Sequence, residues 1–182
     1  MFDIRDYRAA DERGWLLCRL LSFFNTDYYD DVKVSKTPFA HPAIELDTVR
    51  HDEVVGLIDV EIDGDTATID SIAVHPSSQR MGIAAALLRE VLRKLPGSVA
   101  TLDAWTRETP SANEWYRAIG FREEYRYLHV YRGDDDPSDG FATPAGLSLP
   151  VIAFMHASIE SEAELRAAYR RVYLCRQYVM PV

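Results

Sequence analysis

The chain has 182 residues, 47% hydrophobic and 27% charged, which suits one soluble globular domain with a substantial core. Its formal net charge of -9 argues against nonspecific nucleic-acid binding, which needs Lys and Arg to neutralise phosphates. No apolar run approaches the roughly 20 residues of a membrane span, no leader-like segment is visible before the first strand, and the expected compartment is the cytoplasm.

Phe2 to Tyr7 reads as a first strand, and Ala10 to Phe24 as a helix with a stripe of Leu16, Leu17, Leu20, Leu21 and Phe24. Asn25 to Pro42 is aromatic, acidic and irregular. Ala43 to Arg50, Glu53 to Ile62 and Thr66 to Val74 read as strands, with Asp63-Gly64 as a hairpin turn. A helix follows over Ile83 to Leu95, burying Ile83, Leu87, Leu88, Val91 and Leu95, and Pro96-Gly97 stops it. Ser98 to Trp105 reads as a strand. Thr109 and Pro110 open a short helix that ends at Gly120, and Phe121 to Tyr131 is the next strand.

Residues 133–149 are polar and rich in Gly and Pro, the pattern of a long loop. Pro150 to His156 reads as a last strand. Ser161-Glu162-Ala163-Glu164 reads as a capping box that opens a final helix, with Leu165, Ala168, Tyr169 and Val172 on one face. This segment, 150–182, could pack on its own sheet or help form a homodimer, the placement favoured here. Strands alternating with helices indicate one α/β or α+β domain over 1–182, with a mixed sheet and a core in 1–131. Cys18 and Cys175 lie in apolar helical patterns and read as buried thiols; five scattered histidines and no Cys/His cluster at ligand spacing speak against a metal site.

The most informative stretch is Gln79-Arg80-Met81-Gly82-Ile83-Ala84, between an apolar strand and an amphipathic helix. A helix that starts at a Gly-containing turn presents free N–H groups and the positive end of its dipole, which suits a pyrophosphate. Gly82 allows close approach of a phosphate, and the small Ala84 leaves the first turn uncrowded.

Two segments resemble the GNAT superfamily of acyl-CoA-dependent N-acetyltransferases. The first is Ile72-Ala73-Val74-His75-Pro76 followed by Gln79 to Ala84, similar to the family's Q/R-x-x-G-x-G/A pyrophosphate motif. The second is Trp105-Thr106-Arg107-Glu108 followed by Asn113 to Phe121, similar to its next block, with an Asn, a Tyr and a closing Gly-Phe. The resemblance implies a mixed, mostly antiparallel sheet of about seven strands with helices on both faces. It implies acetyl transfer from acetyl-CoA to a primary amine, of a small molecule or a peptide, by direct attack in a ternary complex. Backbone groups of Ile72, Ala73 and Val74 would pair with the pantetheine arm. The turn and helix start, Gln79, Arg80, Met81, Gly82, Ile83, Ala84 and Ala85, would hold the pyrophosphate. Asn113 would bond the arm, and Tyr116, one helical turn later, would protonate the CoA sulfur.

The base is sought among strand acids. A two-residue Asp63-Gly64 turn would put Asp59, Glu61 and Asp70 on one face with Ile72 and Val74, with Asp59 and Asp70 as diagonal neighbours. Mid-strand acids are costly unless solvated or paired, and close carboxylates raise one another's pKa. Asp70 ranks first because it is nearest the cofactor turn in sequence. Tyr28, Tyr29, Asp30 and Trp105 are candidates for the acceptor pocket. Two further readings stay open: an aminoglycoside-type antibiotic acetyltransferase, and a non-catalytic CoA-binding sensor or scaffold.

Overall fold

The structure, a computed structural model, describes residues 2–182. Its elements are β1 (Asp3–Asp6), α1 (Glu12–Phe23), β2 (Ala43–Arg50), β3 (Glu53–Asp63), β4 (Thr66–Val74), α2 (Ile83–Lys94), β5 (Thr101–Thr106), α3 (Pro110–Ala118), β6 (Arg122–Arg132), β7 (Ala153–Ala157), α4 (Glu162–Ala168) and β8 (Arg171–Pro181). The eight strands form one sheet in the order β1-β2-β3-β4-β5-β8-β6-β7. Only β4 and β5 run parallel; every other pair is antiparallel. This is the mixed sheet expected, with one strand more.

The two faces are covered differently. Leu87, Leu88 and Val91 of α2 and Tyr116 of α3 pack on Leu46, Ile58, Val60, Ala67, Ile69, Leu102 and Tyr178. On the opposite face α1 lays Trp15 and Cys18 against Leu57 and Ala73. The buried side of α1 is therefore Trp15, Cys18 and Arg19, while Leu17, Leu21 and Phe24 of the expected stripe are exposed. The indole decides the rotation: it is the largest apolar group on the helix, and its N–H reaches a buried carboxylate of β3.

The C-terminal segment departs most from the sequence reading. The helix is only seven residues long, Ser161 makes no capping hydrogen bond, and Tyr169 and Val172 lie outside it. Cys175, buried as expected, is not helical: it lies in β8, which inserts between β5 and β6. Both faces of β8 are covered in part, so Val172, Leu174, Cys175 and Tyr178 are buried without strict alternation. A strand of that kind carries no period-2 signature.

Candidate active site

β4 and β5 pair only from Thr66↔Thr101 to Ile69↔Ala104. Beyond that point β4 runs on to Val74 with no strand on its β5 side, and the sheet splits. The β3–β4 hairpin turns one residue later than expected, with Asp63 opposite Thr66 and Gly64-Asp65 as its loop. A register shift between Asp59 and Val60 then makes Asp70 the extra residue of a bulge, with Ser71 opposite Asp59. The later turn moves the pairing by two residues and keeps the faces; the bulge corrects the face assignment. Ile72 and Val74 point to the α2 core, whereas Asp59 and Asp70 face α1. Asp70 on β4 and Trp105 on β5 are the first residues past the last pair, one on each lip of the split.

At the far end of the free edge the chain turns sharply. Arg80 has φ 61 and Gly82 φ 78, both left-handed, and α2 starts at Ile83. A Cβ on Gly82 would meet nothing within 4 Å, so the backbone there is open. The Ile83 side chain is in the core, and Gly56 makes room for it: a Cβ on Gly56 would sit 2.6 Å from Ile83 Cγ2. Ile83 therefore offers a ligand only its backbone. Arg80 and Met81 are exposed, and the Gln79 amide donates to Val74 O at 3.2 Å.

On the α1 side of the β1–β4 half, Glu45, Asp59 and Ser71 stand in one row. Asp59 is 1% exposed. Its Oδ2 accepts from Trp15 Nε1 at 3.1 Å and lies 3.0 Å from Lys36 Nζ. Lys36 also donates to Glu45 at 2.5 Å, and its ammonium lies over the rings of Tyr7, Trp15 and Phe39 at 4.9, 5.0 and 5.1 Å. Burial pushes Asp59 up to about 6 against the pull of Lys36. Asp70 is open by comparison, its side chain 42% exposed, with Lys33 Nζ at 3.6 Å and Ser71 Oγ donating to it. Asp47 is wholly buried with neither oxygen bonded, and burial pushes it up to about 7, aided by Asp11 and Asp59. Glu61 is not in this group. Its carboxylate accepts the N–H groups of Ala40 and His41, both at 2.9 Å, on the hairpin side of the split.

On the same face of the β5–β8–β6–β7 half the side chains are aromatic. Trp105, 37% exposed, meets the rings of Tyr125 and Tyr127 edge-on at 6.2 and 5.5 Å. Next in the sheet, His129 is paired with Tyr173 on one side and His156 on the other. Arg107 ties this wall to the segment after α1. Its Nε donates to His129 Nδ1 at 3.2 Å, its guanidinium to Asp27 O and Tyr131 Oη, and its backbone N–H to Tyr28 Oη at 3.1 Å. The guanidinium also lies 4.2 Å above the Tyr28 ring. Burial and the Arg107 charge push His129 down to about 4, so it is neutral, with Nε2 left to donate to Tyr127 Oη at 2.8 Å. Tyr29 is exposed beneath Arg171, which grips Asp30 through two bonds of 2.5 and 2.6 Å and holds its carboxyl below the usual range.

Residues 43–123 match the sequence family described as an acetyltransferase (GNAT) domain. Over these residues the chain is similar to a GNAT acetyltransferase domain. Its fold is similar to the ribosomal-protein-S18-alanine N-acetyltransferase of Escherichia coli, at 16% identity and TM-score 0.62, covering 100% of this chain and 94% of that one. It is also similar to Arabidopsis thaliana NAA60 in complex with a bisubstrate analogue, at 13% identity, TM-score 0.62 and coverage of 100% and 98%. A third likeness is a GNAT family acetyltransferase from Elizabethkingia anophelis with acetyl-CoA bound, at 16% identity, TM-score 0.56 and coverage of 100% and 98%. At these identities the likeness is one of fold. No curated protein matches the chain by sequence.

In this fold α3 stands behind the split. Tyr116 is buried, stacked on Tyr178 at 5.2 Å, and burial pushes its phenol well above the usual range. Its hydroxyl has no hydrogen-bond partner among the described residues. Asn113 is saturated: its amide donates to Arg107 O and Thr109 O and accepts from Tyr178 Oη and Arg176. A bond to a cofactor arm would have to replace one of these. The sequence reading assigned no role to Lys33, Lys36, Arg107 or His129. The contacts that place them, Lys33 with Asp70, Lys36 with Asp59 and Arg107 with His129, span 22 or more residues, so no local pattern marks them.

Proposed function

We propose that the protein is an acetyl-CoA-dependent N-acetyltransferase that acts on a primary amine by direct attack in a ternary complex. The observation that carries this reading is the split itself. A free β4 edge joins a left-handed turn with open helix N–H groups to a vertex flanked by Asp70 and Trp105. The turn residues Arg80 to Ala85 would hold the pyrophosphate, and Ile72 to Val74 would pair with the arm. Gly82, open and already left-handed, fits that task.

Among the acids, Asp70 is the best base, because it is the one carboxylate that is both at the vertex and open to an acceptor. Asp59 is committed to Lys36 and Trp15 and acts as a positioning residue. Tyr116, which burial keeps protonated, is the candidate proton donor for the leaving sulfur that the family resemblance implies. The acceptor wall is Trp105 with Tyr125 and Tyr127, with Tyr28 against Arg107, and Tyr29 and Asp30 against Arg171, bounding the same face. The acids of the other lip already have lysine partners. This arrangement favours an amine with aromatic or apolar bulk, small molecule or peptide, over a polycationic drug.

Melting with and without acetyl-CoA tests the reading, with Gly82→Glu and, should that variant not fold, Arg80→Glu. A rise in the wild type that the variants lose supports the site. Thiol release with a panel of amines then tests turnover. No rise at saturating acetyl-CoA overturns the proposal.

A further inference from the structure

We propose that Lys33 is an internal acceptor, acetylated by the thioester bound to its own chain, and that this modification releases Asp70 for external amines. The inference rests on the acetyltransferase reading above. The chain has three lysines, Lys33, Lys36 and Lys94, and otherwise uses arginine for its cations. Two of the three lie three residues apart in the segment that crosses the α1 side of the split.

These two lysines are held differently. The Lys36 side chain is 6% exposed, contacts two carboxylates and is boxed by three rings. Lys33 has one carboxylate contact, with Asp70 at 3.6 Å, and its ammonium lies 5.9 Å from the centre of the Trp15 ring. A single partly exposed pair of that length is weakly held and free to rearrange. Asp70 is the bulged residue just past Ile69, so this pair lies at the vertex of the split.

The free edge from Asp70 to Val74 covers four residue steps, about 13 Å at the rise of an extended strand. An arm lying on that edge, with its pyrophosphate at the Gly82 turn, ends at Asp70. The primary amine of Lys33 is thus placed beside the base and at the thioester end of the arm.

The step balances as follows. Asp70 takes one proton from the Lys33 ammonium. The Nζ lone pair forms an N–C bond to the acetyl carbonyl, and the C–S bond breaks. The thiolate leaves with its electron pair and takes a proton from Tyr116, the second amine proton restores the Tyr116 phenol, and Asp70 gives the proton it took to solvent. The products are Nε-acetyl-lysine, CoA thiol and one net proton. The product amide is neutral, so its attraction for the Asp70 carboxylate is gone. Lys36, sealed in its box, keeps Asp59 paired throughout.

The test uses the whole chain with acetyl-CoA carrying a 13C-labelled acetyl group, followed by intact mass, peptide mapping and melting. The expected result is one acetyl group, on Lys33, with a half-time unchanged over a 100-fold dilution of protein. Lys36 and Lys94 stay unlabelled. Lys33→Arg loses the label while keeping the acetyl-CoA-dependent rise in melting temperature, and Asp70→Asn slows labelling at least ten-fold. A melting rise without label on Lys33 overturns the internal acceptor and leaves the transferase reading standing. Labelling of Lys33 no faster than Lys94, or slowing with dilution, overturns it as well. Absence of both label and melting rise brings down the two together.

Discussion

The two halves of the sheet bury charge on the α1 side in opposite ways. In β1–β4 the strands supply the acids, Glu45, Asp59 and Asp70, and a loop supplies the lysines that neutralise them. In β5–β8–β6–β7 one buried arginine, Arg107, is held by neutral groups: an imidazole, two phenols and a carbonyl. A charge balanced by a loop can be uncovered when the loop moves or is modified. Of the groups that hold Arg107, His129 and Tyr131 sit on a paired strand and stay in place when the segment after α1 moves. The first half is thus suited to proton chemistry and its control, and the second to serving as a fixed wall.

The largest expected effect is on stability. Lys36→Met strands Glu45 and Asp59 without their cation and should cost about 3–5 kcal/mol in urea unfolding, with Asp59→Asn added to it recovering part. Arg107→Met strands only neutral partners and should cost less, about 2–3 kcal/mol. Equal costs would break the contrast between the halves. On activity, Asp70→Asn should lower kcat about 100-fold, the scale of a lost general base, with the KM for acetyl-CoA unchanged. Steady-state thiol release measures both.

The halves should also answer acid with opposite signs. Burial raises the carboxyl of Asp47 from 3.8 to about 7, so its stabilising contribution is full below the lower value and is lost as pH rises through the upper one. His129 falls from 6.5 to about 4, so its contribution is full above 6.5 and is lost as pH falls toward 4. Asp47→Asn should therefore stabilise the protein by about 1–3 kcal/mol at pH 8 and by less at pH 5, while His129→Gln should flatten the acid limb only. Melting curves from pH 4 to 8 would show both slopes. The smallest effect belongs to the wall: Trp105→Ala should raise the KM for apolar amines about ten-fold, near 1.4 kcal/mol, and spare acetyl-CoA binding. An unchanged KM would remove Trp105 from the acceptor site.

Much of the turn before α2 was legible in the chain. Gly82 before an amphipathic helix is a local signal, because the turn and the helix start are built from neighbouring residues. Asp63-Gly64 announced the β3–β4 hairpin for the same reason. Its register was not legible: the turn lies one residue later, and the bulge at Asp70, where β4 loses its β5 partner, puts Asp59 and Asp70 on the face opposite Ile72 and Val74. β8 was read as helix because its hydrophobic residues lack a strand's alternation, and they lack it because both its faces are covered in part.

Local patterns thus determined most of the element types, the turn before α2 and the short list of strand acids, since each is encoded within a few residues. Which acid stays free was decided by tertiary structure. The Lys36 ammonium reaches Asp59 across 23 positions and Lys33 reaches Asp70 across 37, and only the packed loop brings those charges together. Likewise the aromatic wall exists only because β8 runs between β5 and β6, setting Trp105 beside Tyr125 and Tyr127.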